Sequence, residues 1–234
     1  MSIRNEVTQM KETAPLLASS KEEIRNEALR RIIETLKSRK EEIFEANRKD
    51  REAARRDHIA PAVMKRLLFD EEKLESLVSG LEQLIRLPDP VGHITLAREL
   101  DAHLKLYRVT CPIGVIGIIF EARPDALVQI SALCIKSANC AILKGGKETK
   151  ETNRILFSLI HEAAVSAGLP EKAWLQAEQH SEIDELLQCD GLVDLLIPRG
   201  SNEFVRYIMD HTKIPVMGHA EGICHIYADK ACDK

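Results

Sequence analysis

Three short strings in this chain set charge and glycine where a phosphate-bearing ligand could be held. They are Glu121-Ala122-Arg123-Pro124, Lys144-Gly145-Gly146-Lys147 and Pro198-Arg199-Gly200-Ser201. Each follows a short apolar run and precedes a stretch with helical periodicity. A strand-to-helix turn of that kind aims backbone N–H groups and the positive end of a helix dipole at an anion. Singly, each string has a plainer use. Arg123 and Arg199 could form surface ion pairs, Gly145-Gly146 a tight turn and Gly200-Ser201 an N-cap. All three fall on one edge of one expected sheet, and that coincidence favours a nucleotide site.

The elements that must position these strings read clearly between Cys111 and Lys147. Val115 to Phe120 is a continuous apolar run, as in a parallel strand covered on both faces. Pro124 suits the first turn of a helix, and Asp125 beside it suits the positive end of the dipole. Leu127, Ile130, Cys134 and Ile135 carry the helical stripe, and Ala141 to Leu143 makes the next strand. A long helix follows, with Ile155, Leu156, Leu159, Ile160 and Ala163 inward, and it stops at Gly168 before Pro170. Further strands are expected near Trp174-Leu175, at Val193 to Ile197, at Pro215 to Met217 and at Ile223 to Ala228, with a helix from about Asn202 to His211. The fold class is therefore α/β, a Rossmann-type doubly wound parallel sheet preceded by a helical segment. The G-x-G-x-x-G string that usually marks such a sheet is absent, so the phosphate-binding chemistry must lie elsewhere, and the Arg199-Gly200-Ser201 turn could hold a phosphate.

The position after the second strand carries more information. Sheets that bind NAD often place an acid there for the ribose hydroxyls. Here it holds Lys144, with Lys147 close by. Positive charge suits the 2′-phosphate of NADP, and a lysine on the ribose hydroxyls also fits.

Residues 1–90 read as helices, 91–110 as a hairpin or oligomerisation segment, and 111–234 as the NADP-binding α/β domain. Lys21 to Asp57 reads as one amphipathic helix, with Ile24, Ala28, Ile32, Leu36, Ile43 and Ala46 three to seven apart and exposed opposite-charge pairs on the far face. Pro88-Asp89-Pro90 breaks the helical pattern. Leu104, Leu106, Tyr107 and Val109 then suggest a partly exposed strand.

The chain has 234 residues, 44% hydrophobic and 30% charged, enough for a buried core. Its net charge of −4 gives no broad attraction for nucleic acid or an anionic membrane. Arg55-Arg56 and Lys37 to Lys40 are interleaved with acids and read as a solvated face. No run approaches membrane-spanning length and no leader is evident, so a cytoplasmic protein is expected. The cysteines Cys111, Cys134, Cys140, Cys189, Cys224 and Cys232 show no C-x-x-C spacing and do not cluster with histidines. They read as packed thiols, with neither a disulfide framework nor a metal site expected.

The stretches RLPDPVG at Arg86 to Gly92, PIGVIGIIFEARPDALVQ at Pro112 to Gln129, AILKGGKE at Ala141 to Glu148, DLLIPRGSN at Asp194 to Asn202 and KIPVMGHAEGICHIYADKACD at Lys213 to Asp233 resemble those of the γ-glutamyl phosphate reductases, within the aldehyde dehydrogenase superfamily. The resemblance implies NADPH-dependent reduction of L-glutamyl 5-phosphate to L-glutamate 5-semialdehyde, with release of phosphate, in proline biosynthesis. It implies that a cysteine thiolate attacks the acyl phosphate and that hydride reduces the thioester. It places Lys144, Gly145, Gly146, Lys147, Arg199, Gly200 and Ser201 with the cofactor, and Glu121 and Arg123 with substrate or phosphate. It also implies a homo-oligomer and association with glutamate 5-kinase.

The family's nucleophile stands in a Cys-Asn-Ala/Thr-x-Glu-Thr motif beyond Lys234, so none of the six cysteines is expected to be catalytic. Cys224, with His219 nearby, reads as a packed thiol. A non-catalytic NADP-binding or subunit-interaction remnant, or one half of a split enzyme, remains the alternative to a reductase.

Overall fold

The computed structural model describes residues 3–179, 181–218, 225–227 and 229–230. Five helices come first: α1 (Ile3–Ala18), α2 (Glu22–Ser38), α3 (Lys40–Arg56), α4 (Pro61–Leu67) and α5 (Glu71–Arg86). Strands β1 (Ile94–Asp101) and β2 (Leu104–Val109) follow. The α/β part comprises β3 (Val115–Ile119), α6 (Pro124–Lys136), β4 (Cys140–Lys144), α7 (Lys150–Ser166), β5 (Trp174–Ala177), α8 (Ser181–Leu187), β6 (Leu195–Pro198) and α9 (Asn202–Asp210).

The four strands β3 to β6 pair in parallel in the order β5-β4-β3-β6. The chain steps outward from β3 through β4 to β5, then crosses back to β6 on the other side of β3. That reversal makes the crevice at the carboxyl ends of β3 and β6 the expected ligand site of such a sheet. A single parallel bridge from Leu196 to Val216 extends the order beyond β6. The strand expected at Pro215 to Met217 is thus one bridge; of that expected at Ile223 to Ala228, residues 225–227 are described and are not in a strand, and the other three lie outside the described residues.

Every residue of β3 and β4 is buried, which explains their unbroken apolar runs. Alternation along β3 sends Ile116 and Ile118 toward Ile130 and Leu133 of α6, which line a common cleft. Gly117 faces the other way, where an added Cβ would lie 2.5 Å from Leu196 and 3.5 Å from Leu186 of α8. Helices α6 and α7 form one covering layer with α2, α3 and α5 packed outside it. Helix α1 packs on β3, β4 and α8, across the sheet from that layer.

Two features of the helical segment differ from the sequence reading. The single helix expected from Lys21 to Asp57 is two, broken at Arg39 (φ −111°, ψ 23°). The apolar stripe lapses there between Leu36 and Ile43, so nothing buried opposes the break. The polar face is also not wholly solvated. Arg25 is only 1% exposed and Asn47 and Asp50 are buried.

Each of these buried polar groups has a remote partner. Arg25 donates to the Lys136 carbonyl at 2.6 Å and to Asp89 Oδ2 at 2.7 Å. Buried Lys136 donates in turn to Glu22 Oε1 and Asn26 Oδ1, both at 3.0 Å. Asn47 accepts from Phe69 N at 3.0 Å and donates to the Leu67 carbonyl at 2.8 Å. A buried polar group without such partners is costly, so these bonds fix the helices on the sheet layer.

One glycine is dictated by close approach. Gly114 has φ +124°, and a Cβ there would lie 2.1 Å from Asp194 Oδ2. That carboxylate accepts from Val115 N at 2.9 Å and pairs with Lys11 at 2.6 Å. Gly80 is the contrast: it sits inside α5 and a Cβ there meets nothing within 4 Å. Gly114→Ala is expected to cost about 2–3 kcal/mol. Gly80→Ala is expected to add about 0.5–1 kcal/mol by lowering unfolded-state entropy. Urea unfolding of the two variants checks both signs.

Candidate functional site

All three charged strings leave the carboxyl edge of the sheet. The strands stay zipped to their ends: Phe120 N donates to the Lys144 carbonyl at 2.9 Å, and Arg199 N to the Ile119 carbonyl at 2.8 Å. Beyond β3, the Arg123 guanidinium is largely exposed and lies 3.3 Å from Asp125 Oδ2. Asp125 Oδ1 is 4.0 Å from Lys73 of α5. Glu121 approaches the third string, since a Cβ on Gly200 would meet its Oε1 at 3.1 Å and the Phe204 ring at 3.0 Å. The turn between β6 and α9 therefore passes as bare backbone. Ser201 Oγ accepts from Phe204 N at 3.2 Å and caps α9, leaving its own hydroxyl proton to donate elsewhere.

Lys144 ends β4 and is 7% exposed. Its ammonium donates to the Gly145 carbonyl at 2.8 Å. Burial pushes this ammonium's pKa down, while Glu182, Glu148 and Glu178 pull it back up. The turn that follows is stitched tightly. A Cβ on Gly145 would lie 2.1 Å from Asn153 Nδ2, and that amide donates to Thr149 Oγ1 at 2.8 Å. Thr149 Oγ1 donates to the Gly146 carbonyl at 3.0 Å. Glu148 Oε1 accepts from Ala122 N at 3.2 Å, which ties the second string to the first. Lys147 is exposed.

The N-terminus of α7, directly after this turn, is already occupied by the protein's own anion. Asp50 of α3 accepts from Glu151 N at 3.0 Å and Thr152 N at 2.8 Å, and from Thr152 Oγ1 at 2.6 Å. Burial pushes the Asp50 carboxyl pKa up, and these bonds oppose the rise. These donors at the α7 N-terminus are therefore already taken by Asp50 rather than open to an outside anion.

The sheet separates two of the expected cofactor residues. Register pairs Lys144 with Ile119 and with Ala177, on the α8 side. Arg199 lines the opposite cleft of about 430 Å³, with Ile116, Ile118, Ile197 and Leu133. Lys144 and Arg199 thus reach the edge from different faces. Sequence reasoning missed Glu148, Glu178 and Glu182, whose acids surround Lys144, and missed Asp50. Glu178 had a readable signal, since it directly follows a short strand that pairs with β4.

A curated γ-glutamyl phosphate reductase from Acetivibrio thermocellus is 52% identical over 234 residues, covering 100% of this chain and 54% of its own length. A solved reductase of that name from Thermotoga maritima superposes with TM-score 0.92 at 31% identity, over 100% of this chain and 57% of the other. Along its whole length the chain is similar to γ-glutamyl phosphate reductases. It spans about half the length of the curated relatives it matches. A second γ-glutamyl phosphate reductase structure, from Saccharomyces cerevisiae, matches with TM-score 0.88 at 40% identity, over 96% of this chain and 57% of the other. Likeness of fold alone extends to an NAD-dependent benzaldehyde dehydrogenase from Corynebacterium glutamicum, at TM-score 0.67 and 17% identity, over 92% of this chain and 45% of the other. No protein-family model matches the chain.

The described cysteines divide by burial. Cys134, Cys140 and Cys189 are buried free thiols, whereas Cys111 is exposed. Burial pushes the pKa values of Cys134 and Cys140 up to about 12 and raises that of Cys189. A thiol so shifted is a poor nucleophile at neutral pH. Cys224 and His219 lie outside the described residues. Iodoacetamide at pH 8, followed by peptide mass mapping, is expected to modify Cys111 at least about tenfold faster than Cys134 or Cys140. Equal rates at the three would contradict the assigned burial.

Proposed function

We propose that this chain is the cofactor-binding portion of an NADPH-dependent reductase. The enzyme would convert L-glutamyl 5-phosphate to L-glutamate 5-semialdehyde with release of phosphate, in proline biosynthesis. The observation that carries the reading is the bare turn at Gly200, at the point where strand order reverses, in a chain whose relatives bear the reductase name. Without a side chain at Gly200 the backbone is open to a pyrophosphate once Glu121 Oε1, 3.1 Å from where a Cβ would stand, moves aside. The residues present therefore fit a dinucleotide.

NADPH, when bound, supplies the hydride. Gly200 and Ser201 would hold the pyrophosphate by backbone N–H groups and a hydroxyl. Lys144 would reach the adenosine ribose or its 2′-phosphate from the α8 side, with Gly145, Gly146 and Lys147 shaping that end. Arg199 would approach from the opposite face. Arg123, largely exposed just beyond β3, would pair with the acyl phosphate of the substrate. The exposed β1–β2 ribbon supports self-association, and the cytoplasm suits a biosynthetic enzyme of this kind.

Lys144→Ala is expected to weaken NADPH binding by about tenfold, and NADH binding by less, because a charge-assisted bond to the 2′-phosphate is lost. Fluorescence titration of both cofactors checks this. An equal loss for the two would remove Lys144 from the 2′-phosphate.

A further inference from the structure

Glu182 holds a position at this edge that the sequence does not reveal. Parallel register sets Ala177, the last residue of β5, beside Lys144, the last of β4. The chain leaving β5 therefore passes the lysine at once, through Glu178 and Gln179. Their two successive backbone N–H groups both point at one acceptor, Glu182 Oε2, at 2.7 and 2.6 Å. Adjacent N–H groups converging in this way make a concavity that suits any anionic oxygen. Here the protein's own carboxylate fills it. The neighbouring acid, Glu178, is held by Arg154 through two bonds of 3.0 and 2.8 Å. Its charge is thus offset locally, while Glu182 accepts from these two neutral N–H groups and stands close enough to Lys144 to raise the pKa of that ammonium.

We infer that Glu182 is a cofactor-specificity residue, whose carboxylate contends with a ribose 2′-phosphate for the donors beside Lys144 and so holds down the preference for NADPH. The inference rests on the dinucleotide reading of this edge. A phosphate brought to Lys144 meets the Glu182 carboxylate at the same concavity, and two anions cannot share those donors without repulsion. A ribose carrying only hydroxyls meets no such conflict, because a hydroxyl can donate to the carboxylate. Glutamine at this position keeps an oxygen acceptor for both N–H groups and removes the charge.

The test is fluorescence titration of the full chain and Glu182→Gln with NADPH and NADH, repeated with 2′,5′-ADP and 5′-AMP as probes of the adenosine end. Glu182→Gln is expected to tighten NADPH and 2′,5′-ADP by about fivefold, with NADH and 5′-AMP changed less than about twofold. Glu182→Lys, a second variant, is expected to go further in the same direction. The gain is expected to shrink between low and high salt, as a charge effect must. Binding with an unchanged NADPH-to-NADH ratio, or a gain indifferent to salt, overturns the role of Glu182 alone. Failure of the parent chain and both variants to bind any of the four ligands overturns the dinucleotide reading, and the inference with it.

Discussion

The structure depends on a buried charge placed between the helical segment and the sheet. Arg25 enters from α2, and its guanidinium joins the last carbonyl of α6 to Asp89 in the Pro88-Asp89-Pro90 break. Lys136, the same residue whose carbonyl is taken, sends its ammonium back to Glu22 and Asn26 of α2. Burial opposes ionisation of Asp89, yet the Val91 amide and Arg25 outweigh it and hold the carboxyl below its usual range. Removing one partner of such a network leaves the other charged and dry, at a cost of about 3–5 kcal/mol. The latch therefore fixes three things together: where α2 lies, where α6 ends and where the chain departs for the β1–β2 ribbon.

A related economy governs the binding edge. Asp50 settles the N-terminus of α7, Glu182 settles the amides after β5, and Glu148 settles the amide of Ala122. Each is a carboxylate on backbone N–H groups that would otherwise attract an outside anion. At the α9 turn the cap is a neutral hydroxyl, from Ser201, although the Glu121 carboxylate stands close to Gly200. The backbone donors along the edge thus differ in how far the protein's own acids already satisfy them.

The alternation from Cys111 to Gly168 was legible because buried parallel strands leave unbroken apolar runs and helices carry punctuation. Pro124 opens α6 and Gly168 follows α7, as their chemistry requires. The break at Arg39 was not legible, because Leu36 and Ile43, seven residues apart, would also share one face of an unbroken helix despite the gap in the stripe between them. Arg25 and Lys136 were hidden for a different reason. Long charged side chains on an amphipathic helix normally reach water, and only the tertiary fold shows the carbonyls and acids waiting for these two. At the edge, the glycine and lysine strings could be read, and Glu148 is only four residues from Lys144, but Glu178 and Glu182 come from beyond β5, more than thirty residues away. Only parallel register brings them there.

The β1–β2 ribbon carries a consequence for handling the molecule. Among the described residues its strands pair only with each other, and Ile94, Leu100, Leu104, Leu106, Tyr107 and Val109 are about half exposed. A lone two-stranded ribbon is marginal in water, and each outer edge offers unpaired backbone groups to any other strand. Modest negative charge elsewhere does little to screen so local a patch. Colloidal behaviour, in storage or at high concentration, should therefore follow whatever covers this ribbon more closely than it follows net charge.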